Sequence, residues 1–291
     1  MKVLVTGGSG QLGRELPAAF VGHEVVAPGS DALDLTSRDS VLQWITAVAP
    51  DAVVHGGAYT DVDGCELDPD RAYRVNALGT RHVAEGARLV EARVCYVSTD
   101  YVFPGDAGRP YTEWDVTGPI SAYGRSKLGG EGELDPGSTI VRTSWVCGRH
   151  GRNFVKTILR AAAAAGPGGL KVVDDQHGCP TFAEDLASVV ATLVVGRLPG
   201  TFHVTNQGAT TWFGFARSIV AAAGLDPAIV HPIPTTALDP PRPAPRPAWS
   251  VLDNAALRLS GLPLLPDHHE PLERLVKVLL DELTAPSGPP A

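Results

Sequence analysis

The N-terminal segment of the chain constrains its fold more than any other feature. Residues 2–6 form a short apolar run typical of a buried strand, Gly7, Gly10 and Gly13 follow directly, and residues 11–21 have helical spacing. Glycine lets the main chain approach phosphates closely, and a helix N-terminus offers free N–H groups and the positive end of a dipole. The segment therefore predicts a strand, a tight turn and a helix that together hold a pyrophosphate. A plain glycine-rich turn remains the alternative while this motif is considered alone.

Strands and helices continue to alternate after this motif. Short β-branched runs predict strands, and the stretches between them have helical spacing. The predicted strands are residues 25–26, 52–54, 94–97 and 139–141, and the predicted helices are residues 38–49, 71–92 and 122–134. Such alternation predicts a parallel sheet covered by helices on both faces, with ligands at the carboxyl ends of the strands. The expected fold class is α/β, a Rossmann-type doubly wound parallel sheet with a smaller α/β substrate-binding lobe.

The second half of the chain is less regular and is expected to supply that lobe. The predicted elements are a strand at 202–204 and helices near residues 152–165, 183–196, 211–223 and 272–283. The proline-rich run 239–247 fits neither a helix nor an inner strand, so it predicts an extended surface loop. The expected parts are a dinucleotide-binding domain of residues 1–145 plus roughly 170–203, a substrate-binding lobe of roughly 146–169 and 204–284, and a flexible tail of 285–291.

Composition excludes several other classes of protein. The chain has 291 residues, with 24 lysines and arginines against 32 aspartates and glutamates, and no basic stripe indicates a nucleic-acid partner. No apolar run is long enough to cross a bilayer and no export signal is recognisable, so we expect a cytoplasmic protein without a membrane partner. The four cysteines are widely spaced and indicate neither a zinc site nor a disulfide framework.

Tyr123 and Lys127 form a candidate proton donor. A spacing of four residues places both side chains on one face of the predicted helix 122–134. An ammonium group under the phenol would stabilise the phenolate, and one close opposite charge typically lowers a pKa of about 10 by roughly 1 to 3 units. The sequence therefore predicts a phenol that exchanges a proton reversibly with a carbonyl oxygen near neutral pH.

Two further polar residues lie where the predicted sheet would place a ligand. Thr99 follows a predicted strand, so its hydroxyl is expected at the carboxyl edge, although a threonine there is often only a turn cap. Asn76 lies inside an apolar helix and is either a satisfied core amide or the holder of a water in a proton relay to Lys127. The histidines show no metal-ligand spacing, and no metal is assigned.

Several longer motifs occur together in this chain. In the first half they are Gly7-x-x-Gly10-x-x-Gly13, Val75-Asn76-Ala77-Leu78-Gly79-Thr80, Ser98-Thr99-Asp100-Tyr101-Val102-Phe103 and Tyr123-x-x-x-Lys127. In the second half they are Arg142-Thr143-Ser144-Trp145, Asn153-Phe154, Asp175-Gln176-His177-Gly178-Cys179-Pro180-Thr181, Thr210-Thr211-Trp212 and Arg246-Pro247-Ala248-Trp249-Ser250. As a set they resemble the extended short-chain dehydrogenase/reductases and, more closely, the dTDP-4-dehydrorhamnose reductase family within them. The resemblance covers nearly the whole chain, and the second-half motifs are the more specific.

The resemblance implies an NAD(P)H-dependent oxidoreductase that transfers a hydride to C4 of a dTDP-4-keto-6-deoxy sugar, with NADPH or NADH as cofactor. The implied catalytic residues are Tyr123 as proton donor, Lys127 as its partner and ribose ligand, Thr99 as the hydroxyl that tunes the carbonyl, and Asn76. The implied cofactor-binding residues are Gly7, Gly10, Gln11, Leu12, Gly13, Asp34, Leu35, Ala58, Tyr59, Tyr123 and Lys127. The implied substrate-binding residues are Thr60, Val62, Thr99, Tyr101 and Trp145. Residues that would pack on the sugar and base or pair the second pyrophosphate are Trp145, Asn153, Trp212, Arg246 and Trp249.

The chain departs from the family pattern at two places. The run Ala27-Pro28-Gly29-Ser30 stands where an acidic residue that binds the adenosine ribose is expected, and Asp31 or Asp34 is the candidate substitute. Without a carboxylate at the strand end a 2′-phosphate is not repelled, so we expect both NADPH and NADH to be accepted. The run His55-Gly56-Gly57-Ala58 replaces the usual Asn-Ala-Ala stretch, which leaves the local packing against the cofactor open.

Two other functions stay open at this point. A nucleotide-sugar epimerase or 4,6-dehydratase would share the fold, but dehydratases place an Asp-Glu pair after the threonine, and here Asp100 is followed by Tyr101. A non-catalytic NADP-binding subunit, similar to the regulatory subunit of methionine adenosyltransferase, is the alternative from another class. The sequence also leaves open which sugar is reduced and whether the protein forms a homodimer.

Overall fold

The structure of the protein, a computed structural model, describes residues 1–284. Its strands are β1 (Lys2–Thr6), β2 (Glu24–Val26), β3 (Ala52–His55), β4 (Arg93–Thr99), β5 (Thr139–Thr143), β6 (Val146–Cys147), β7 (Leu170–Val173), β8 (His177–Gly178), β9 (Thr181–Phe182), β10 (Gly200–His203), β11 (Thr210–Thr211) and β12 (Val230–Ile233). Its α-helices are α1 (Gln11–Ala19), α2 (Arg38–Val48), α3 (Val62–Leu67), α4 (Pro69–Tyr73), α5 (Gly79–Leu89), α6 (Ala122–Glu131), α7 (Phe154–Ala163), α8 (Ala183–Val195), α9 (Trp212–Ala222), α10 (Ala255–Leu259) and α11 (His269–Thr284). The tail predicted at 285–291 lies outside the described residues.

A sheet of parallel strands in the order β10-β5-β4-β3-β1-β2 forms the centre of the molecule. The chain runs from β1 outward to β2 and then returns to β3 on the other side of β1. The connections that leave β1 and β3 therefore diverge at a topological switch point, which is where open α/β sheets bind ligands. The predicted doubly wound parallel sheet is confirmed.

The alternation of residues along β1 explains why helices cover both faces of the sheet. Successive side chains of a strand point to opposite faces. Val3 and Val5 pack in one hydrophobic cluster with buried residues of α1 and α8. Leu4 belongs to a second cluster on the other face, with Ile45 of α2 and Val83 of α5. The apolar centre of β1, Val3 to Val5, is therefore buried on both sides.

A separate hydrophobic cluster forms the smaller lobe. It contains Val155 of α7, Phe215 of α9 and Val276 of α11. β7 pairs in parallel with β12 at its edge, and Val172 of β7 belongs to the same cluster. The sequence prediction put residues from roughly 170 onward in the dinucleotide-binding domain, whereas β7 pairs with β12 and not with the central sheet. The domain division stays a prediction.

The helix predicted over 71–92 is interrupted. A π-helical turn, Arg74–Leu78, joins α4 to α5 and carries Asn76. Such turns insert an extra residue into a helix and often occur at functional sites. No helix within residues 1–284 is both long enough and apolar enough to cross a membrane.

Candidate active site

A cleft of about 1060 Å³ opens at the carboxyl edge of the sheet. Its walls come from the ends of β1, β3, β4 and β5, from α1 and α6, and from aromatic residues of the smaller lobe. The predicted site residues that line it are Gly7, Gly10, Gln11, Leu12, Asp34, Leu35, Ala58, Thr60, Val62, Thr99, Tyr101, Tyr123, Lys127 and Trp145. The fold thus gathers most of the predicted cofactor, catalytic and substrate residues around one cavity.

Main-chain contacts shape the glycine-rich loop of the cleft. A Cβ atom on Gly13 would lie 2.2 Å from the carbonyl oxygen of Gly7, and one on Gly7 would lie 2.8 Å from Gly57 Cα. Gly7 also has a φ of +74°, in the left-handed region that favours glycine. Gly10, the N-cap residue of α1, has no side chain that could bond the N–H groups of the first turn. These groups are left for a ligand. This cradle, which side chains would fill, fits a pyrophosphate.

The end of β2 carries no carboxylate. Ala27 and Pro28 follow the strand, and the carbonyl oxygen of Pro28 accepts a hydrogen bond from Gly8 N at 3.0 Å. Asp34 lines the cleft, but its Oδ1 accepts hydrogen bonds from Thr36 Oγ1 at 2.7 Å and Thr36 N at 2.8 Å. These two bonds hold the pKa of Asp34 below its usual value. Part of its carboxylate is therefore engaged within its own turn.

Tyr123 lies in the first turn of α6, which Ser121 caps. Its ring meets that of Tyr101 edge-on, with centroids 5.9 Å apart. Burial raises the pKa of Tyr123, and the Thr99 hydroxyl opposes this shift only in part. The lowered pKa predicted from a charge on Lys127 is therefore wrong for this structure, because desolvation of the phenolate dominates. The phenol keeps its hydrogen across the neutral range, which is the form that a proton donor needs.

Lys127 shares the helix face of Tyr123 but makes its contacts elsewhere. Its Nζ donates to the carbonyl oxygen of Val97 at 2.7 Å and lies 4.1 Å from the centroid of the Tyr96 ring. Lys127 is 2% exposed, and burial lowers its pKa to about 7, with Glu131 opposing the shift. An ammonium group has three donors. Those not directed at Val97 remain for a ligand in the cleft.

Thr99 and Asp100 form a hydrogen-bonded pair at the end of β4. Thr99 Oγ1 donates to Asp100 Oδ1 at 3.0 Å and accepts from Tyr101 N at 3.2 Å. Asp100, to which the sequence assigned no role, lines the cleft and is only 2% exposed. Burial raises the pKa of Asp100 to about 7. Its position directly after a strand end was the signal that would have pointed to it.

Asn76 fastens the loop after β3 to α6. Its Oδ1 accepts from Tyr59 N at 2.8 Å, and its Nδ2 donates to Tyr59 O at 3.1 Å and to Ser126 Oγ at 2.9 Å. Both amide hydrogens are engaged, so a relay water would have to donate to the second acceptor position of Oδ1, and the relay stays a prediction. Asn76, Tyr59 and Gly13 do not line the cleft as described and instead position residues that do.

His55 resolves the packing question raised by its unusual sequence context. Its ring nitrogens contact Thr6 Oγ1 at 2.7 Å and Thr80 Oγ1 at 3.0 Å. Burial lowers the pKa of His55 to about 3, so the ring is neutral. Gly57 N donates to Thr6 Oγ1 at 3.1 Å. The histidine therefore ties β1, β3 and α5 together behind the cofactor side of the cleft.

Trp145 and Trp212 form the wall of the cleft on the side of the smaller lobe. Their rings stack with centroids 3.5 Å apart and an angle of 10° between their planes. A Cβ atom on Gly178 would lie 2.5 Å from Trp145 Cε2, so the indole is held between Gly178 and Trp212. Trp145 has a φ of +47°, which is rare for a bulky residue. Backbone strain of this kind is found at functional sites.

Three residues predicted to contact the substrate are engaged with other groups of the protein. Arg246 forms an ion pair with Asp63, with Nη2 2.8 Å from Oδ2, and this pair lowers the pKa of Asp63 to about 2. Trp249 stacks on His177 with ring centroids 4.8 Å apart. Asn153 caps α7. None of the three lines the cleft as the structure describes it, and their contacts with the sugar, base and second pyrophosphate stay predictions.

The structure also places at the cleft residues that the sequence did not single out. Arg71, Arg74 and Arg152 bring positive charge to it. The guanidinium group of Arg71 lies 4.4 Å from the centroid of the Tyr59 ring. Arg71 and Arg74 are three residues apart in a helical segment, and this spacing was the signal that they share a face. The cleft therefore offers cations for an anionic ligand.

Comparisons with known proteins agree with this geometry. Residues 1–280 match the family model of the RmlD substrate binding domain. A dTDP-4-dehydrorhamnose reductase of Streptomyces griseus is 42% identical over 98% of this chain and 94% of its own. A probable dTDP-4,6-dihydroxy-2-methyloxan-3-one 4-ketoreductase of Streptomyces antibioticus is 42% identical over 92% of this chain and 92% of its own. The crystal structure of dTDP-4-dehydrorhamnose reductase from Bacillus anthracis in complex with NADP has a TM-score of 0.90 and 38% identity, covering 95% of this chain and 99% of that one. The family resemblance seen in the motifs is thereby confirmed, and the chain belongs to the RmlD family of dTDP-4-dehydrorhamnose reductases and related ketoreductases.

Proposed function

We propose that the protein reduces the 4-keto group of a dTDP-4-keto-6-deoxy sugar with NADPH or NADH. One observation carries the proposal. A single cleft holds a glycine cradle on the β1 side, Thr99, Tyr123 and Lys127 at the ends of β4 and α6, and the stacked pair Trp145 and Trp212 on the lobe. A dinucleotide site, a proton donor and an aromatic sugar-binding wall are the parts that such a reduction needs.

The cradle formed by the glycine-rich loop and the N-terminus of α1 would hold the pyrophosphate of the cofactor. Residues that would flank the rest of the cofactor are Gln11, Leu12, Asp34, Leu35 and Ala58, with Tyr59 behind them. The nicotinamide supplies the hydride when the cofactor is bound. Lys127 would hold a ribose hydroxyl with the ammonium hydrogens that Val97 does not take.

The chain itself supplies the proton. As C4 is reduced, its oxygen gains negative charge, and Tyr123 donates its phenolic hydrogen to that oxygen. The hydroxyl of Thr99 donates a hydrogen bond to the same oxygen and stabilises the charge before the proton arrives. The raised pKa of Tyr123 suits this direction of transfer, because the phenol enters the reaction protonated. Asn76 contributes by fixing the loop after β3.

The sugar would lie against Thr60, Val62, Tyr101 and Trp145. Arg246 is already paired with Asp63. The pyrophosphate of the dTDP-sugar would therefore pair with arginines that line the cleft, which are Arg71, Arg74 and Arg152. The role that the sequence suggested for Arg246 would require this ion pair to open.

A second candidate function is reduction of a different 4-keto deoxysugar in the same cleft. The Streptomyces antibioticus relative, a probable 4-ketoreductase of another dTDP sugar, supports this second candidate. A dehydratase is less favoured, because Tyr101 occupies the place of the glutamate that elimination needs. The homodimer and the cytoplasmic location stay predictions of the sequence.

The test is to incubate the purified protein with NADPH and dTDP-4-dehydrorhamnose and to separate the nucleotide sugars by chromatography. We expect formation of dTDP-L-rhamnose or its 4-epimer. The amount of reduced sugar nucleotide should equal the amount of NADPH consumed. A parallel reaction with dTDP-4-keto-6-deoxy-D-glucose separates the two candidate substrates. Folded protein that binds NADPH but reduces neither sugar would instead support the non-catalytic binding subunit.

A further inference from the structure

Asp100 has an incompletely paired carboxyl group behind the Thr99 hydroxyl. It is 2% exposed, it lines the cleft, and its Oδ2 has no hydrogen-bond partner among residues 1–284. The hydroxyl of Ser250 lies near Asp100 and lowers its pKa in part, but its single hydrogen is donated to the carbonyl oxygen of His177 at 3.3 Å. A buried carboxylate with one unpaired oxygen is costly, whereas the neutral acid leaves only a weak acceptor unpaired.

The hydrogen bonds of Thr99 decide what it presents to the cleft. A hydroxyl has one hydrogen and two acceptor positions, and Tyr101 N already occupies one acceptor position at 3.2 Å. When Asp100 is ionised, the Thr99 hydrogen goes to Oδ1 at 3.0 Å, and only a lone pair is left for the cleft. A ketone oxygen has no hydrogen to give, so it gains nothing from that lone pair.

We propose that Asp100 is a positioning residue that works in its protonated form. Its carboxyl hydrogen is then donated to Thr99 Oγ1 across the same 3.0 Å contact, and the Thr99 hydrogen is turned into the cleft, where it donates to the ketone oxygen beside Tyr123. Ionisation of Asp100 reverses the bond and withdraws that donor. No proton leaves the pair in the cycle. The inference rests on the proposed reduction of a keto sugar.

Burial of Asp100 favours the neutral acid and outweighs the hydrogen bonds from Ser250, Thr99 and the main chain, which lower its pKa. The titratable groups that face it are the phenols of Tyr101 and Tyr123 and the thiol of Cys179. Burial raises the pKa of each of these groups, so all three are neutral near pH 7 and none of them supplies a compensating cation. The same burial raises the pKa of Asp100 to about 7, which places its ionisation within the working range of the protein.

The experiment compares the wild-type protein with Asp100→Asn over pH. An asparagine donates from its amide to Thr99 Oγ1 at every pH and cannot ionise. The ratio of kcat/KM for the variant to that for the wild type is expected to rise about tenfold between about pH 6 and about pH 8, as the wild type loses its protonated fraction. The ionisation of Lys127 affects both proteins and cancels in this ratio.

Two controls keep the result specific. Asp39→Asn changes an aspartate whose side chain is 97% exposed on α2, and its ratio is expected to stay flat. In the background of Thr99→Val the rise for Asp100→Asn is expected to disappear, because no hydroxyl is left to orient. If Asp100→Asn does not fold, the ratio of wild type to Thr99→Val must fall about tenfold over the same pH interval.

A flat ratio for Asp100→Asn, or a loss of activity that is equal at every pH, overturns the inference and assigns Asp100 a structural role. Infrared difference spectra give an independent readout. The carbonyl band of a protonated, buried carboxylic acid must be present in the wild type at low pH, disappear as the pH rises, and be absent from Asp100→Asn. If the wild type itself reduces no keto sugar, the proposed function fails and not this inference alone.

Discussion

The two sides of the cleft are built by different means. On the cofactor side the glycine-rich loop is fixed by main-chain contacts, since a Cβ atom on Gly13 would lie 2.2 Å from a carbonyl oxygen. On the substrate side a Cβ atom on Gly178 would meet the indole of Trp145, which is itself stacked on Trp212. A wall made of main chain cannot adapt to another ligand, whereas a wall made of side chains can be reshaped by substitution. We therefore expect the backbone to set the class of cofactor and the side chains to set the choice of sugar.

The largest effect is expected at Tyr123, where the two sides meet. Tyr123→Phe removes the phenolic hydrogen while the ring keeps its contact with Tyr101. Loss of a positioned acid typically costs roughly a hundred- to ten-thousand-fold in rate. We expect kcat to fall by that amount while the Kd of NADPH, measured by fluorescence titration, stays within about twofold. Near-normal turnover would refute the proton-donor assignment.

The backbone side is tested by Gly13→Ala. The added methyl group overlaps the main chain of Gly7, and such overpacking typically costs about 1–3 kcal/mol. We expect a lower Tm and a Kd for NADPH raised by roughly 5- to 100-fold. Gly137→Ala is the matched control, because a Cβ atom there meets nothing within 4 Å. Unchanged cofactor binding in Gly13→Ala would mean that the loop adapts and that the comparison is wrong.

The side-chain side is tested by Gly178→Ala. The methyl group pushes on Trp145, whose indole has Trp212 on its other face. Loss of an aromatic contact is worth about 0.5–1.5 kcal/mol, so the KM for the keto sugar is expected to rise roughly three- to tenfold. The Kd of NADPH should not change, since Gly178 does not contact the glycine-rich loop. A parallel loss of cofactor affinity would show that the two walls are coupled.

The same contrast explains what the sequence could predict. Val3, Leu4 and Val5 predict a buried strand, and the glycines after it predict a pyrophosphate-binding loop. Both predictions succeed from sequence because both patterns are local. The predicted direction of the Tyr123 pKa shift was wrong. The shift depends on how deeply the ring is buried, and the spacing of residues in the sequence does not show burial. The pairing of Arg246 with Asp63 was also missed, because it joins segments far apart in the chain.

The sequence predicted only part of the cleft wall on the side of the smaller lobe. Trp145 and Trp212 belong to recognisable motifs, and both line the cleft. Trp249 belongs to an equally specific motif and stacks on His177 instead. A motif shows that a residue type is required at a position, but packing partners decide whether its ring faces a ligand or a neighbour. Distant contacts of this kind are set by the tertiary fold.

The smallest effect is expected in the choice of cofactor, where the backbone side of the cleft imposes little discrimination. β2 ends in Ala27 and Pro28, so no carboxylate stands at the strand end itself to repel a 2′-phosphate. The carboxylate of Asp34, which lines the cleft farther along the chain, is turned with Oδ1 towards Thr36. The values of kcat/KM for NADPH and NADH are therefore expected to agree within about threefold. Asp31→Asn and Asp34→Asn form a matched pair for the measurement. A strong preference for NADH that only one of these variants abolishes would identify that aspartate as the ribose ligand and show that a side chain, not the backbone, sets this part of the cofactor site.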